Sequence, residues 1–265
     1  MICIPVMAES NREAVRMMKR AFPSADMVEL RLDRIFRPAL PALMKAREGS
    51  LLVTNRRKEE GGFFKGSERD RVNLLAEAVT LGADYVDVEA STGKRWIGRL
   101  KAEIEGNGAA ARMIISHHDF QRTPSWDGLV RRLEACRAYG AHAVKIVTFA
   151  NSAEDNLRVL RLIPRSRAEG QPIIAFCMGP RGRISRLLAS ALGSFITYAS
   201  LRRDAESAPG QFTVAEMRKM WRLLGYEGSP LLRSGEPDKV SAEGPQDRCR
   251  SGRICPNRGE APEKP

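Results

Sequence analysis

The sequence has no apolar stretch of the length that a membrane-crossing helix needs, and its N-terminus, MICIPVMAES, lacks a basic segment followed by a signal-type apolar run. These absences favour a cytoplasmic protein. Cysteine is also scarce, because the 265 residues include only five, an odd number without the spacing of a disulfide framework. Such usage is typical of a reducing compartment. Cys249 and Cys255 have no histidine nearby and do not have the usual spacing of zinc ligands, so they predict no metal site.

Aromatic residues are few among the basic segments, and this bears on the formal net charge of +12. The lysines and arginines are scattered along the chain among acidic residues, as in RRLEACR, and do not form one cluster. This pattern is typical of a solvated basic surface and does not predict a nucleic-acid partner. A diffuse positive field would also attract a small anionic substrate.

What the sequence does contain is an alternation of short strand-like runs with longer segments of helical period. Eight runs are rich in valine, isoleucine and aromatics: ICIPVM near residue 2, MVELRL near 27, SLLVTN near 50, DYVDVE near 84, RMIISH near 112, HAVKIV near 142, PIIAFCM near 172 and FITYAS near 195. Segments such as DRVNLLAEAVTLGA separate them, and the last helical segment follows Thr213, a predicted N-cap. Successive βα units of this kind predict a parallel sheet of the α/β class.

Eight such units favour a (β/α)8 TIM barrel over residues 1–227. The alternative is an open doubly wound sheet, but the Gly-rich nucleotide turn usual after its first strand is missing from PVMAESNRE. From residue 228 to 265 the composition changes to proline, glycine, serine and charge, which predicts a disordered tail. Cys3, Cys136 and Cys177 lie in apolar patterns and are predicted to be buried packing residues.

Polar residues at the ends of the predicted strands are the candidates for chemistry, since active sites of barrels collect at the C-terminal ends of the strands. They are Glu29, Arg31 and Asp33 after the second strand, Arg56 and Glu60 after the third, Asp87 and Glu89 in the fourth, His117, His118 and Asp119 after the fifth, Lys145 in the sixth, and Arg186 beyond the seventh.

Lys145 is the most informative of these residues because it lies inside an otherwise apolar strand. One interpretation is a lysine that reaches water or a carboxylate at the strand end. The other is a nucleophile, since an amine held away from water loses its proton more easily and can form a Schiff base with a carbonyl substrate. Such chemistry needs a proton carrier, and a histidine of the preceding strand could supply it. His117 and His118 point to opposite faces of a regular strand, so at most one faces the barrel centre, and periodicity does not choose between them.

Two further segments could bind an anion. FCMGPRGRISR, after the seventh strand, offers loop amides and a helix start for phosphate, while Arg186 offers a planar fork for a carboxylate. ESAPGQF, at residues 206–212, could fold over the barrel mouth with Ser207 and Gln211 as neutral hydrogen-bonding groups. The alternative for the first segment is a turn with a surface arginine, and an ordinary turn would explain the second segment equally well.

Taken together, seven stretches in order resemble the family of type I 3-dehydroquinate dehydratases: ELRLD, TNRRKEEGG, YVDVE, SHHDF, VKIV, MGPRGRISR and SAPGQ. The resemblance covers nearly all of residues 27–211. It implies a hydro-lyase of the shikimate pathway, which leads to chorismate and the aromatic amino acids. The enzyme would remove water from 3-dehydroquinate to give 3-dehydroshikimate through a lysine Schiff base.

The resemblance also assigns roles to individual residues. Lys145 would form the imine, His118 would be the general acid and base, and Glu60 would assist His118. The implied substrate-binding residues are Glu29, Arg31, Arg56, Arg186, Ser207 and Gln211, and the implied apolar walls are Phe176, Met178 and Tyr198.

The resemblance implies no metal and no dissociable cofactor. The family commonly forms a homodimer on its outer helices, although the sequence does not show a pairing face. Two rival hypotheses remain from the residues alone. One is a class I aldolase-like lyase that binds a phosphorylated substrate through the Gly-rich loop, and the other is a non-enzymatic basic barrel that binds nucleic acid.

Overall fold

The computed structural model of the chain describes residues 1–106, 108, 110–203 and 210–226. The predicted tail at 228–265 and the residue Ser207 lie outside the described residues. In the described part of the chain, no helix is long and apolar enough to cross a membrane.

Eight parallel strands follow the eight predicted runs. They are β1 (Ile2–Val6), β2 (Met27–Arg31), β3 (Leu51–Thr54), β4 (Tyr85–Glu89), β5 (Arg112–His118), β6 (Ala143–Phe149), β7 (Ile173–Met178) and β8 (Thr197–Ser200). Each strand from β1 to β7 pairs with its neighbour in sequence, and β8 pairs with β1. The remaining edge is bridged because the backbone N–H of Phe195, just before β8, donates to the carbonyl of Ile173 in β7 at 2.7 Å. The TIM-barrel prediction is therefore confirmed.

Helices cover the outside of the sheet between successive strands. They are α1 (Asn11–Ala21), α2 (Leu40–Lys45), α3 (Glu68–Thr80), α4 (Lys94–Gly106), α5 (Trp126–Arg137), α6 (Ala153–Leu160), α7 (Leu162–Ala168), α8 (Arg183–Ala191) and α9 (Val214–Leu223). A short strand, β9 (Phe212–Thr213), runs parallel to the end of β8. Thr213 caps α9 as predicted, because its hydroxyl accepts the N–H of Glu216 while the Glu216 carboxylate accepts the N–H of Thr213.

The strands alternate between two cores, and this alternation sets the position of polar side chains. Val86 and Val88 of β4 pack outward against helices, whereas Tyr85 belongs to an inner apolar cluster with Leu52 and Ile114. Toward the C-terminal ends of the strands, the inward positions are polar. Asp87, for example, is buried and lies on the same face of β4 as Tyr85. The floor of the barrel is therefore apolar, and the chemistry is confined to its C-terminal mouth.

Cys3, Cys136 and Cys177 are free and buried, as the apolar patterns predict. Cys3 belongs to the inner cluster, and Cys136 and Cys177 belong to the outer core.

Candidate active site

A cavity of about 110 Å³ opens at the mouth of the barrel. Every residue to which the family resemblance assigns a role, and which lies in the described part of the chain, lines this cavity. The lining comes from six of the βα units. The lining residues are Glu29, Arg31, Arg56, Glu60, Gly61, His118, Phe120, Lys145, Val147, Phe176, Met178, Arg186, Tyr198 and Gln211.

Lys145 lies on the inner face of β6 between the inward residues Ala143 and Val147 and is 4% exposed. Its Nζ donates to Oδ2 of Asp87 at 2.9 Å and to Oη of Tyr198 at 3.0 Å. The amine therefore finds a carboxylate partner inside the barrel, and it does not reach the outer surface.

Asp87 connects Lys145 to a buried arginine. Its Oδ2 also lies 2.8 Å from Nη2 of Arg56, and its Oδ1 accepts the hydroxyl of Ser116 at 2.6 Å. Burial by itself would raise the pKa of Asp87, but the positive charges of Arg56 and Lys145 outweigh it and hold the pKa well below its usual range. Asp87 is thus a permanent anion beneath the cavity.

Arg56 extends this ionic network outward through Glu89. Nη1 of Arg56 donates to Glu89 Oε1 at 2.9 Å, and Nη1 of Arg71 lies 2.8 Å from Glu89 Oε2. Burial opposes the charge of Arg56, yet Asp87 and Glu89 raise the pKa of Arg56 well above its ordinary value. Because each buried charge meets an opposite one, the guanidinium of Arg56 is held in a single position at the cavity wall.

The two histidines occupy opposite faces of β5. His118 faces the cavity, and its Nδ1 lies 3.0 Å from Oε2 of Glu60, which also accepts the backbone N–H of His118 at 3.0 Å. His117 points outward, where its Nε2 accepts from Nε of Arg132 on α5 at 2.8 Å. The prediction that only one histidine faces the barrel centre is confirmed, and the inward one is His118.

The surroundings of His118 favour its neutral form. Burial and the nearby charge of Arg56 lower the pKa of His118 to about 3, although the bond to Glu60 opposes them. Burial would raise the pKa of Glu60, but its hydrogen bonds to His118 and Ser91 and the charge of Arg56 lower it to about 2. At neutral pH the pair is therefore an anionic Glu60 and a neutral imidazole. With Nδ1–H donated to Glu60, the lone pair of His118 lies on Nε2.

The loop after β3 brings Glu60 and Phe120 together at one point. Gly61 has a φ of 79°, and a Cβ there would lie 2.4 Å from Cζ of Phe120. The ring of Phe120 in turn stacks on the imidazole of His118 at 6.3 Å between centroids. The absence of a side chain at Gly61 lets this aromatic ring cover the histidine.

Arg31 is fixed by Asp33 in a two-point ion pair. Its Nε and Nη2 each donate to one carboxylate oxygen at 2.8 Å. The same carboxylate accepts the backbone N–H of Arg56 at 3.2 Å and that of Phe63 at 3.1 Å. Asp33 therefore connects the end of β2 to the loop that carries Arg56.

Arg186 enters the cavity from the first turn of α8. The residue is 1% exposed, and its guanidinium lies 4.5 Å from the centroid of the Phe176 ring. The helix can start this close to β7 because Gly182 precedes it, and a Cβ at Gly182 would lie 2.7 Å from the carbonyl of Cys177.

Sequence reasoning noted Asp33, Asp87 and Glu89 without giving them a role, and it passed over Ser116 and Arg71. The signal was present in YVDVE, where two acidic residues two positions apart in a buried strand must point to the same face. Two adjacent inward carboxylates need cations, and Lys145, Arg56 and Arg71 supply them.

A family model of type I 3-dehydroquinase matches residues 2–227. Among similar proteins, a 3-dehydroquinate dehydratase from Syntrophobacter fumaroxidans is 38% identical over 234 residues, which cover 85% of this chain and 97% of that protein. One from Thermococcus gammatolerans is 41% identical over 226 residues, covering 84% and 99%. The crystal structure of the 3-dehydroquinate dehydratase from Geobacillus kaustophilus superposes with a TM-score of 0.77 at 29% identity and covers 86% of this chain and 92% of that one. The chain therefore belongs to the type I 3-dehydroquinase family.

Proposed function

We propose that Lys145, His118 and Glu60 carry out the dehydration of 3-dehydroquinate to 3-dehydroshikimate in this hydro-lyase. The observation that carries the proposal is a buried amine and a neutral imidazole lining one cavity, each fixed by its own carboxylate.

The first step joins the substrate ketone to Lys145. Lys145 reacts after its ammonium group has given up one proton to solvent. The lone pair of the resulting amine adds to the carbonyl carbon, and the carbonyl oxygen then leaves as water with one proton from the nitrogen and one from a general acid. A protonated imine remains, which withdraws electrons and makes the neighbouring C2 proton acidic.

His118 then moves the proton that the elimination requires. Its Nε2 takes the proton from C2, and the electron pair flows to the imine nitrogen to give an enamine. The enamine expels the C1 hydroxyl, which leaves as water with the proton that His118 returns. Hydrolysis of the conjugated imine restores the amine and releases the product. Ionised Glu60 stabilises the imidazolium that exists between the two transfers.

The remaining cavity residues fit recognition of a carboxylated, hydroxylated ring. Arg186 would hold the substrate carboxylate with Gln211 and with Ser207, which lies outside the described residues. The side chains that would contact the hydroxyl groups of the substrate ring are Glu29, Arg31 and Arg56. Phe176 and Met178 would form an apolar wall of the cavity. The rival lyase with a phosphorylated substrate fits less well, because the amide of Gly182 in its loop is already donated to the carbonyl of Gly179 at 3.0 Å.

We infer that residues 1–227 form the catalytic barrel and that the protein works in the cytoplasm as a homodimer, without a metal, a dissociable cofactor or nucleic acid. Sedimentation of the full chain tests the dimer. Retention on immobilised nucleic acid that weakens with salt and survives loss of both Lys145 and His118 would support the non-enzymatic rival.

The decisive experiment is the Lys145→Ala variant. We expect it to abolish formation of the conjugated product, followed by ultraviolet absorbance, because no other amine among the described residues lines the cavity. Borohydride added with 3-dehydroquinate should increase the mass of the wild type and leave that of the variant unchanged. Equal labelling of both proteins would show that Lys145 is not the nucleophile.

A further inference from the structure

Tyr198 differs from the other residues predicted as apolar wall, because it brings a hydroxyl to the reacting nitrogen. It lies on the inner face of β8 and is 4% exposed. Its Oη accepts from Lys145 Nζ at 3.0 Å, while its ring packs against Phe176 with 5.9 Å between centroids. Nζ also lies 4.6 Å from the centroid of the Tyr198 ring.

A neutral lysine amine has two N–H bonds and one lone pair. Two acceptors lie within hydrogen-bonding distance of Nζ of Lys145, namely Asp87 Oδ2 at 2.9 Å and Tyr198 Oη at 3.0 Å. Oε1 of Glu29 is farther away, at 4.0 Å. If both N–H bonds are directed to the two nearer oxygens, the lone pair must take the remaining direction. Lys145 lines the cavity, and Asp87 lies beneath it and does not line it, so the remaining direction is the open one.

The hydroxyl of Tyr198 stays protonated while it accepts this bond. Burial, reinforced by the negative charge of Glu29, raises the pKa of Tyr198 well above its ordinary value. The oxygen therefore acts as a neutral acceptor, which orients the amine without adding a second anion beside it.

We propose that Tyr198 is a positioning residue for Schiff-base formation, whose hydroxyl aims the lone pair of Lys145 at the substrate carbonyl. This inference rests on the proposed function and adds a residue to it. In the step concerned, the Nζ lone pair forms the bond to the carbonyl carbon and the carbonyl π pair moves to oxygen. Without the hydroxyl, one N–H is unrestrained and the lone pair spends less time in the attacking direction.

The test is Tyr198→Phe, which removes one oxygen and keeps the ring that contacts Phe176. Tyr85→Phe is the matched control, because Tyr85 also faces the barrel interior but belongs to its apolar floor, and its hydroxyl accepts only from Arg112 at 3.3 Å among the described contacts. Each protein is mixed with excess 3-dehydroquinate and quenched with borohydride at successive times. Mass spectrometry then measures the fraction of protein that carries the reduced adduct. Steady-state rates and thermal unfolding are measured in parallel.

We expect Tyr198→Phe to slow imine trapping and to lower kcat on the order of tenfold, the size of one hydrogen bond, with KM within about twofold of wild type. Tyr85→Phe should trap at the wild-type rate. A merely structural role for Tyr198 would instead lower the unfolding temperature or raise KM while the trapping rate stayed the same.

Wild-type trapping and turnover rates in Tyr198→Phe would overturn the role of Tyr198 and leave the proposed function intact. A wild type that neither traps nor turns over 3-dehydroquinate would overturn the proposed function itself. The two failures are therefore distinguishable in one set of measurements.

Discussion

At the scale of single residues, His118 is suited to take a proton because three features of its position act together. Burial keeps the ring neutral, Nδ1–H donates a hydrogen bond to Glu60, and the inward side of β5 turns Nε2 toward the cavity. Burial also lowers the pKa of His117, one residue earlier. His117 does not line the cavity, however, and its Nε2 accepts from Arg132 outside the barrel.

This difference predicts unequal effects for the two histidines. His118→Ala should keep imine formation, seen as a borohydride-dependent mass increase with substrate, but lose turnover by roughly 10²- to 10⁴-fold, the usual contribution of a general acid and base. His117→Ala is the matched control and should stay within a few-fold of wild type. The opposite ranking would show that His117, and not His118, is the general acid and base.

At the scale of elements, the loop between β3 and α3 holds the catalytic pair through a backbone conformation. Gly61 has a left-handed φ of 79° directly after Glu60, and Phe120 fills the space where its side chain would be. Nothing in TNRRKEEGG shows that this glycine must admit a ring from the loop after β5. The relation exists only when both loops meet at the barrel mouth.

We predict that Gly61→Ala damages the site more than it damages the fold. The left-handed φ costs about 1–3 kcal/mol of stability for a residue other than glycine, and the new methyl group also pushes Phe120 off His118. Gly170→Ala is the control, because Gly170 has a similar φ of 70° with no atom within 4 Å of an added Cβ. Both variants should unfold at lower temperature, but only Gly61→Ala should lose kcat. An equal kcat in the two variants would show that Gly61 does not affect the active site.

At the scale of the whole molecule, the site depends on a buried network of alternating charge that runs from Lys145 through Asp87, Arg56 and Glu89 to Arg71. These five groups come from three different βα units, so they meet only when those units pack together in the barrel. Removal of any one member takes one opposite charge away from each of its buried neighbours, which is destabilising.

The same burial makes stability depend on pH. His118 has a pKa lowered from 6.5 to about 3 in the folded protein, so the unfolded chain binds more protons between these values. Glu60, lowered from 4.5 to about 2, acts in the same direction in its own window. The free energy of unfolding should therefore decrease as pH falls from about 6.5 toward 3, by at most about 1.4 kcal/mol per pH unit for each proton.

Thermal unfolding in buffers between pH 7 and pH 4 measures this dependence. His118→Gln should show a shallower decrease than wild type, because the group that binds the extra proton in the unfolded chain is gone. His142→Gln is the comparison. Burial lowers the pKa of His142 too, but His142 is only partly buried and lies outside the cavity, so its loss should change the slope less. If wild type and His118→Gln lose stability with the same slope as pH falls, His118 does not determine the loss of stability at acid pH.

The order of the eight strands, the helices between them and the cap at Thr213 were predictable from the sequence, because they depend on local periodicity and on the tendency of successive βα units to close in order. Strand periodicity showed neither that Lys145 faces inward, because both faces of this strand are small or apolar, nor which histidine joins it. Only the resemblance to the family implied Lys145 and His118. The register of β5 against β6 places Ser116 opposite Lys145, and His118 therefore shares the side of Lys145.

The sequence by itself determined the barrel, the set of residues at its mouth and, through the order of seven short stretches, the family. Only the tertiary structure decided which charges neutralise one another, that Asp33, Asp87 and Glu89 hold the arginines and the lysine in place, and that Tyr198 offers its hydroxyl to the amine. The physical reason is that strand periodicity is a property of neighbouring residues in one segment. Ion pairs and hydrogen bonds in the mouth instead join side chains as far apart in sequence as Glu29 and Lys145, and their distances are set by the closure of the whole sheet.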